Sequence, residues 1–203
     1  MAKYKVIYDI PDFHVKNGEG GLYSILPYER LDKHGKALFK VGFATNFEKR
    51  FENYHTSYPL GFYFKNLLAS PMKGKPAFRD EVEQEFIEEH GGRRPTPDER
   101  PKLRKKVEMQ YYTSIEKYIF DKIKDRGGKR LKTTTRIRDA DENGGNSEWF
   151  YTNERTLDNA FKCAQKEYGG RNMVKSLSHI NKEADKNKRG STYTGEIHYK
   201  IYS

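Results

Sequence analysis

Tyr23, Lys40, Arg50 and Glu148 are far apart in the sequence, yet their side chains together suit the hydrolysis of a phosphodiester. That reaction needs a base or a positioned water, a cation against the charge of the equatorial oxygens, and help for the departing oxygen. Arg50 offers a planar pair of donors that matches phosphate geometry better than a lysine would. A free tyrosine ionises near pH ~10, so Tyr23 can take a proton at neutral pH only beside a positive charge, and Lys40 is the proposed source. Tyr54, one helical turn after Arg50, and His55, an alternative base, are secondary members of the set. Each residue also has a plainer reading. Tyr23 can be a core aromatic in a strand, Lys40 a guard on a sheet edge, Arg50 a solvated helix charge, Glu148 an exposed loop acid and Tyr54 helix packing.

The elements that must carry these side chains follow from hydrophobic periodicity and turn chemistry. Gly21–Pro27 and Ala37–Ala44 read as a hairpin joined by a charged turn at Asp32–Gly35. Thr45 and Asn46 are N-cap types ahead of Phe47, Phe51 and Tyr54, which predicts a helix over about 46–54. A third strand follows, from Phe62 through the Leu67–Leu68 pair. Beyond Pro71 comes a charged helix near 78–89, a linker marked by Gly91, Gly92, Pro95, Pro97 and Pro101, and a second helix with Val107, Tyr111, Ile115, Tyr118, Ile119 and Ile123 on one stripe. A last helix is expected over about 156–168, and a final strand at Ile197–Tyr202. The fold class is therefore α/β of the α+β kind, with a small, mostly antiparallel, three-stranded sheet flanked by helices. Residues 1–170 form the main unit, with a charged helical insertion at about 71–106, and residues 171–203 form a basic extension.

The order of the motifs resembles the GIY-YIG endonuclease superfamily. Gly21-Leu22-Tyr23 is similar to its first tripeptide, Lys40-Val41-Gly42 to its second, Arg50 to the arginine of the following helix, and Ser147-Glu148-Trp149-Phe150 to the segment that supplies its metal-binding glutamate. Lys40 replaces the first tyrosine of the second tripeptide, as in restriction and phage-like members, and the helix around Ile115–Ile123 fits the viral and phage branch. The resemblance covers about 21–168. It implies a metal-dependent endonuclease in which Tyr23 takes the proton of the attacking water, Arg50 holds the scissile phosphate, and Glu148 anchors one Mg²⁺ or Mn²⁺ whose remaining ligands are water and phosphate oxygens. A noncatalytic nucleic-acid-binding module on the same scaffold and an RNA-directed nuclease remain the alternatives.

Composition points to the same partner. Lysine and arginine total 39 against 29 acids, a formal charge of +10, which favours a polyanion, with DNA the leading candidate. Lys129, Arg130, Lys132, Arg136 and Arg138 are the expected backbone contacts; Lys102, Arg104, Lys105 and Lys106 read equally well as a solvated helix face. Cys163 is the single cysteine, so neither an internal disulfide nor a multi-cysteine zinc site can form within the chain. No window approaches the ~18 apolar residues of a membrane span, and the expectation is a soluble, intracellular protein that is not secreted. Oligomeric state and sequence preference are not legible.

Overall fold

A computed structural model describes residues 15–16, 18–27, 36–57, 62–132, 146–176 and 178. The chain order is β1 (Gly21–Pro27), β2 (Lys36–Ala44), α1 (Phe47–Ser57), β3 (Phe62–Ala69), α2 (Lys75–Glu89), α3 (Arg100–Asp125), β4 (Lys129–Lys132), β5 (Asn146–Asn153), α4 (Glu154–Tyr168) and β6 (Arg171–Val174). The strands make one six-stranded antiparallel sheet in the order β4-β5-β2-β1-β3-β6. This corrects the expected three strands. The strands that patterning missed are β4 and β6, of four residues each, and the polar β5. None carries a long apolar run, and they join the sheet because β5 and β6 each find an open edge beside β2 and β3, while β4 pairs with β5. The Ile197–Tyr202 strand lies outside the described residues.

Side-chain alternation splits β1 between two cores. Leu22 and Leu26 point to α3 and α4, joining Phe39, Val41, Ile115, Ile119, Phe120, Phe150, Leu157 and Phe161. Tyr23 points the other way, to α1, where its ring meets Phe47 at 6.5 Å and Tyr54 at 6.0 Å, and Tyr54 in turn meets Phe62 at 5.7 Å. The sheet thus places Tyr23 beneath the helix that carries Arg50.

Two glycines allow this packing. Gly21 has φ +152°, and a Cβ there would fall on the Leu68 carbonyl of the neighbouring strand. Gly42 lies directly opposite Tyr23, and a Cβ there would stand 2.8 Å from the phenol oxygen. The phenol lies across β2 in the space Gly42 leaves open.

A bulge on β3 makes a buried polar anchor. Ser24 opposes Asn66 while Ile25 opposes Phe64, so Lys65 is the extra residue. Lys65 Nζ and Asn66 Nδ2 both donate to Asp158 Oδ1 of α4, at 2.5 and 2.9 Å, and Ser24 Oγ donates to Asn66 at 2.9 Å. Glu154 reaches Lys65 at 3.4 Å. This network fixes the first turns of α4, which Asn153 caps by accepting the Thr156 N–H at 2.8 Å. Among the described residues, no helix is long and apolar enough to cross a membrane.

Candidate functional site

The start of α1 is fixed by a side-chain cap and by the backbone of Glu19. Asn46 accepts the Lys49 N–H at 3.1 Å, and the Phe47 N–H donates to the Glu19 carbonyl at 2.9 Å. The nearly buried Glu19 carboxylate accepts from Ser70 Oγ, from the Lys16 N–H and from Arg171. Burial pushes the Glu19 carboxyl up, but those donors outweigh burial and hold it below its usual range. Arg50 and Tyr54 follow at i and i+4, so they share a face of α1, Arg50 exposed and Tyr54 buried.

Tyr23 is 1% exposed, and its hydroxyl hydrogen-bonds the hydroxyl of Tyr54. Burial raises its phenol well above the ordinary value; the Tyr54 hydroxyl and the Glu148 charge push the same way, and Arg50 pulls down. Arg50 therefore acts on Tyr23 against burial. Lys40 Nζ lies 3.1 Å from Glu148 Oε2 and 5.0 Å from the centre of the Tyr54 ring. The structure thus brings Tyr23, Lys40, Arg50, Tyr54 and Glu148 into one neighbourhood.

Glu148 reaches it through a strand irregularity. The β2–β5 ladder runs from Lys36↔Asn153 to Lys40↔Trp149, where Glu148 is the next residue. On the other side of β5, Arg130 pairs with Phe150 but Lys132 with Asn146, so β5 carries extra residues across Ser147–Trp149. Bulges of this kind re-aim side chains. The Glu148 side chain is 48% exposed, and a half-solvated carboxylate suits a hard divalent ion held mostly by water and substrate oxygens. Among the described residues, no group of three or more His, Cys, Asp or Glu could hold a metal by itself.

Two further charged residues meet this neighbourhood. Glu116 of α3, missed by sequence reasoning, has its carboxyl raised to about 7, first by burial and then by Glu148, against Arg130, Lys40 and Arg50. The available signal was an acid at i+4 from Tyr112 and i−4 from Phe120, inside the apolar stripe of its helix. Arg130 turns inward from β4, its guanidinium 4.5 Å from the Phe120 ring and 5.8 Å from the Phe150 ring. Lys129 is its exposed neighbour. Lys102, Arg104, Lys105 and Lys106 lie exposed or part-exposed on the first turns of α3, with Lys106 paired to Glu85 at 3.7 Å. Arg136 and Arg138 lie outside the described residues, and so do the side chains of His55 on α1 and Lys132 on β4.

No curated protein and no solved structure matches the chain. The T5orf172 domain family model matches residues 21–165, from the glycine that opens β1 to Gln165 in α4, and so takes in every site residue described above. With that much of its length matched, the chain belongs to the T5orf172 domain family, a phage-associated family of homing-endonuclease-like contexts that suggests a nuclease-like or DNA-binding role.

Proposed function

We propose that the protein is a metal-dependent endonuclease of the GIY-YIG type that hydrolyses DNA phosphodiester bonds at the Tyr23–Lys40–Arg50–Glu148 neighbourhood. The observation that supports this most is the convergence of a buried phenol, two cations and a half-exposed carboxylate, drawn from β1, β2, α1 and β5. A packing role for Tyr23 does not require the company of those charges.

In this reading, Arg50 holds the scissile phosphate by paired N–H donors and faces the charge that grows on its oxygens. Tyr23 Oη is the proton acceptor for the attacking water, with Tyr54 fixing its direction through their hydrogen bond. Burial holds the phenol well above its ordinary value, and the Arg50 cation pulls it back down. Lys40, now paired with Glu148, swings towards a phosphate oxygen when that carboxylate is otherwise occupied. Glu148 would hold Mg²⁺ or Mn²⁺, which supplies charge stabilisation at the leaving 3′ oxygen.

One observation favours a second reading, a noncatalytic nucleic-acid-binding module: Glu148, the carboxylate that would hold the metal, is already paired with Lys40 at 3.1 Å. Single-turnover cleavage of a duplex by wild type and Arg50→Ala separates the two. The enzyme reading expects duplex binding within a few-fold of wild type and a rate lower by about 100-fold or more, because the arginine acts on transition-state charge. An unchanged rate returns Arg50 to the solvent, and no cleavage by wild type in Mg²⁺ or Mn²⁺ favours the binding module.

A further inference from the structure

The charged insertion packs α2 against the first turns of α3 and leaves a groove between them. Two adjoining cavities, of about 270 and 220 Å³, share Arg79, Arg104 and Val107, so they form one channel. Its floor is apolar: Val107 is buried, Pro76 and Leu103 line it, and Met72 stands 53% exposed. Its rim is cationic. Arg79 of α2 and Arg100 and Arg104 of α3 are exposed, and the α3 pair stands at i and i+4 on one face of its helix. Among the described residues, the Arg100 and Arg104 side chains enter no ion pair or hydrogen bond, and Arg79 has the adjacent Asp80 at 3.9 Å. The acids lining the channel are Glu108, which Lys75 pairs at 2.9 Å, and Glu83, so three guanidiniums stand against one unpaired carboxylate.

We infer that this groove seats the sugar–phosphate backbone of a DNA duplex flanking the proposed cleavage site; the inference rests on DNA as the partner and not on its cleavage. Charge selects the class of occupant, since a polyanion meets an arginine rim on a chain of net charge +10. The apolar floor selects within that class. A small inorganic anion gains nothing from Met72, Pro76 and Val107, whereas a sugar–phosphate strand alternates phosphates, which guanidiniums grip by paired donors, with deoxyribose carbons that cover such a floor. The groove is also tied to the site by one rigid element. About 12 Å along α3 from Arg104, the Tyr112 ring meets Phe43 at 6.2 Å, next to the Gly42 that opposes Tyr23, and that distance is roughly three to four base pairs of duplex. The insertion lies inside the family match at 21–165. Backbone contacts carry no base readout, so the groove fixes affinity and register without choosing a sequence.

The test measures binding of random-sequence duplex by the full chain in EDTA across a salt series. Arg79→Ala combined with Arg104→Ala is expected to lower the salt slope by roughly 1.8 and to weaken binding about 30-fold near 0.15 M salt, the loss of two phosphate contacts at about 0.9 each. The loss should be the same on duplexes of different sequence. Both arginines are exposed on helices, where alanine is the best helix former, so the fold is retained, and thermal melts verify it. Met72→Glu sets a carboxylate over the floor and should weaken binding with both arginines intact. Lys162→Ala removes an exposed cation from α4 and should leave the slope unchanged. A double variant with wild-type slope and affinity, or a loss per charge as large in Lys162→Ala, overturns the groove. Self-association of wild type that the double variant abolishes, with DNA affinity unchanged, gives the groove to a second copy and overturns it too. A wild type that binds and cleaves DNA independently of both arginines sinks only the groove; one that binds through them but never cleaves retains the groove and sinks the nuclease; one that binds no DNA sinks both.

Discussion

Replacing Gly42 by alanine places a methyl group where the Tyr23 phenol now lies. The added Cβ would stand 2.8 Å from Oη and 3.0 Å from Cζ, tighter than carbon makes with either atom without displacement. The ring cannot swing clear, because Tyr23 is 1% exposed and held between Phe47 and Tyr54 at 6.5 and 6.0 Å. Overpacking of this kind costs about 1–3 kcal/mol. In a domain of this size each kcal/mol moves the melting midpoint by roughly 2–4 °C, so Gly42→Ala should melt about 2–12 °C below wild type. A shift of the phenol by half an ångström or more also breaks its alignment with Tyr54, and an error of about 1 Å in a reacting group costs on the order of 100-fold in rate. The assay is a double-mutant cycle with Tyr23→Phe, which removes the oxygen at the tightest contact while keeping the ring. Part of the destabilisation by Gly42→Ala should vanish in the Tyr23→Phe background. Wild-type stability in Gly42→Ala, or strict additivity with Tyr23→Phe, refutes the packing argument and with it the structural reason for the glycine of the second tripeptide.

Two further outcomes test the frame around the site. Asp158→Ala leaves Lys65, which is fully buried, with Glu154 at 3.4 Å as its remaining ion-pair partner among the described residues, and should cost about 3–5 kcal/mol in urea unfolding; a loss below about 1 kcal/mol would mean that the bulge on β3 does not anchor α4. The Glu116 carboxyl is raised from 4.5 to about 7 in the folded chain, so folding favours its protonated form, and that contribution is complete below about pH 4.5 and lost as pH rises through about 7. Glu116→Gln stays neutral, and its melting midpoint should therefore gain on wild type between about pH 5 and about pH 8. A constant difference across that range would place the carboxyl in solvent.

The hairpin was legible because Gly21–Pro27 and the apolar run up to Ala44 obey strand patterning, and because turn residues separate them. The helices were legible too: Arg100–Asp125 carries Val107, Tyr111, Ile115, Ile119 and Ile123 on one face, and these are buried. Arg50 and Tyr54 could be placed together because helical spacing makes i and i+4 neighbours. The outer strands were not legible, since β4 reads Lys-Arg-Leu-Lys and β6 Arg-Asn-Met-Val, and their pairing depends on edges that exist only after β2 and β3 have formed. Glu148 could be nominated from its setting, but its meeting with Lys40 depends on the β5 irregularity, which leaves no periodic trace. Lys40 could be placed beside Tyr23 by strand order, yet its choice of Glu148 as partner, and the burial that raises the phenol, are properties of the assembled sheet.

The central claim is that these residues form a nuclease site with Glu148 as its metal anchor, and cleavage of supercoiled plasmid by purified wild type and Glu148→Ala, each with Mg²⁺, Mn²⁺ or EDTA, tests it most directly. The account predicts relaxation or linearisation by wild type with metal alone, and none by Glu148→Ala although it still binds DNA. Equal nicking by both proteins, or salt-sensitive DNA binding by wild type with no cleavage under any metal, would contradict it.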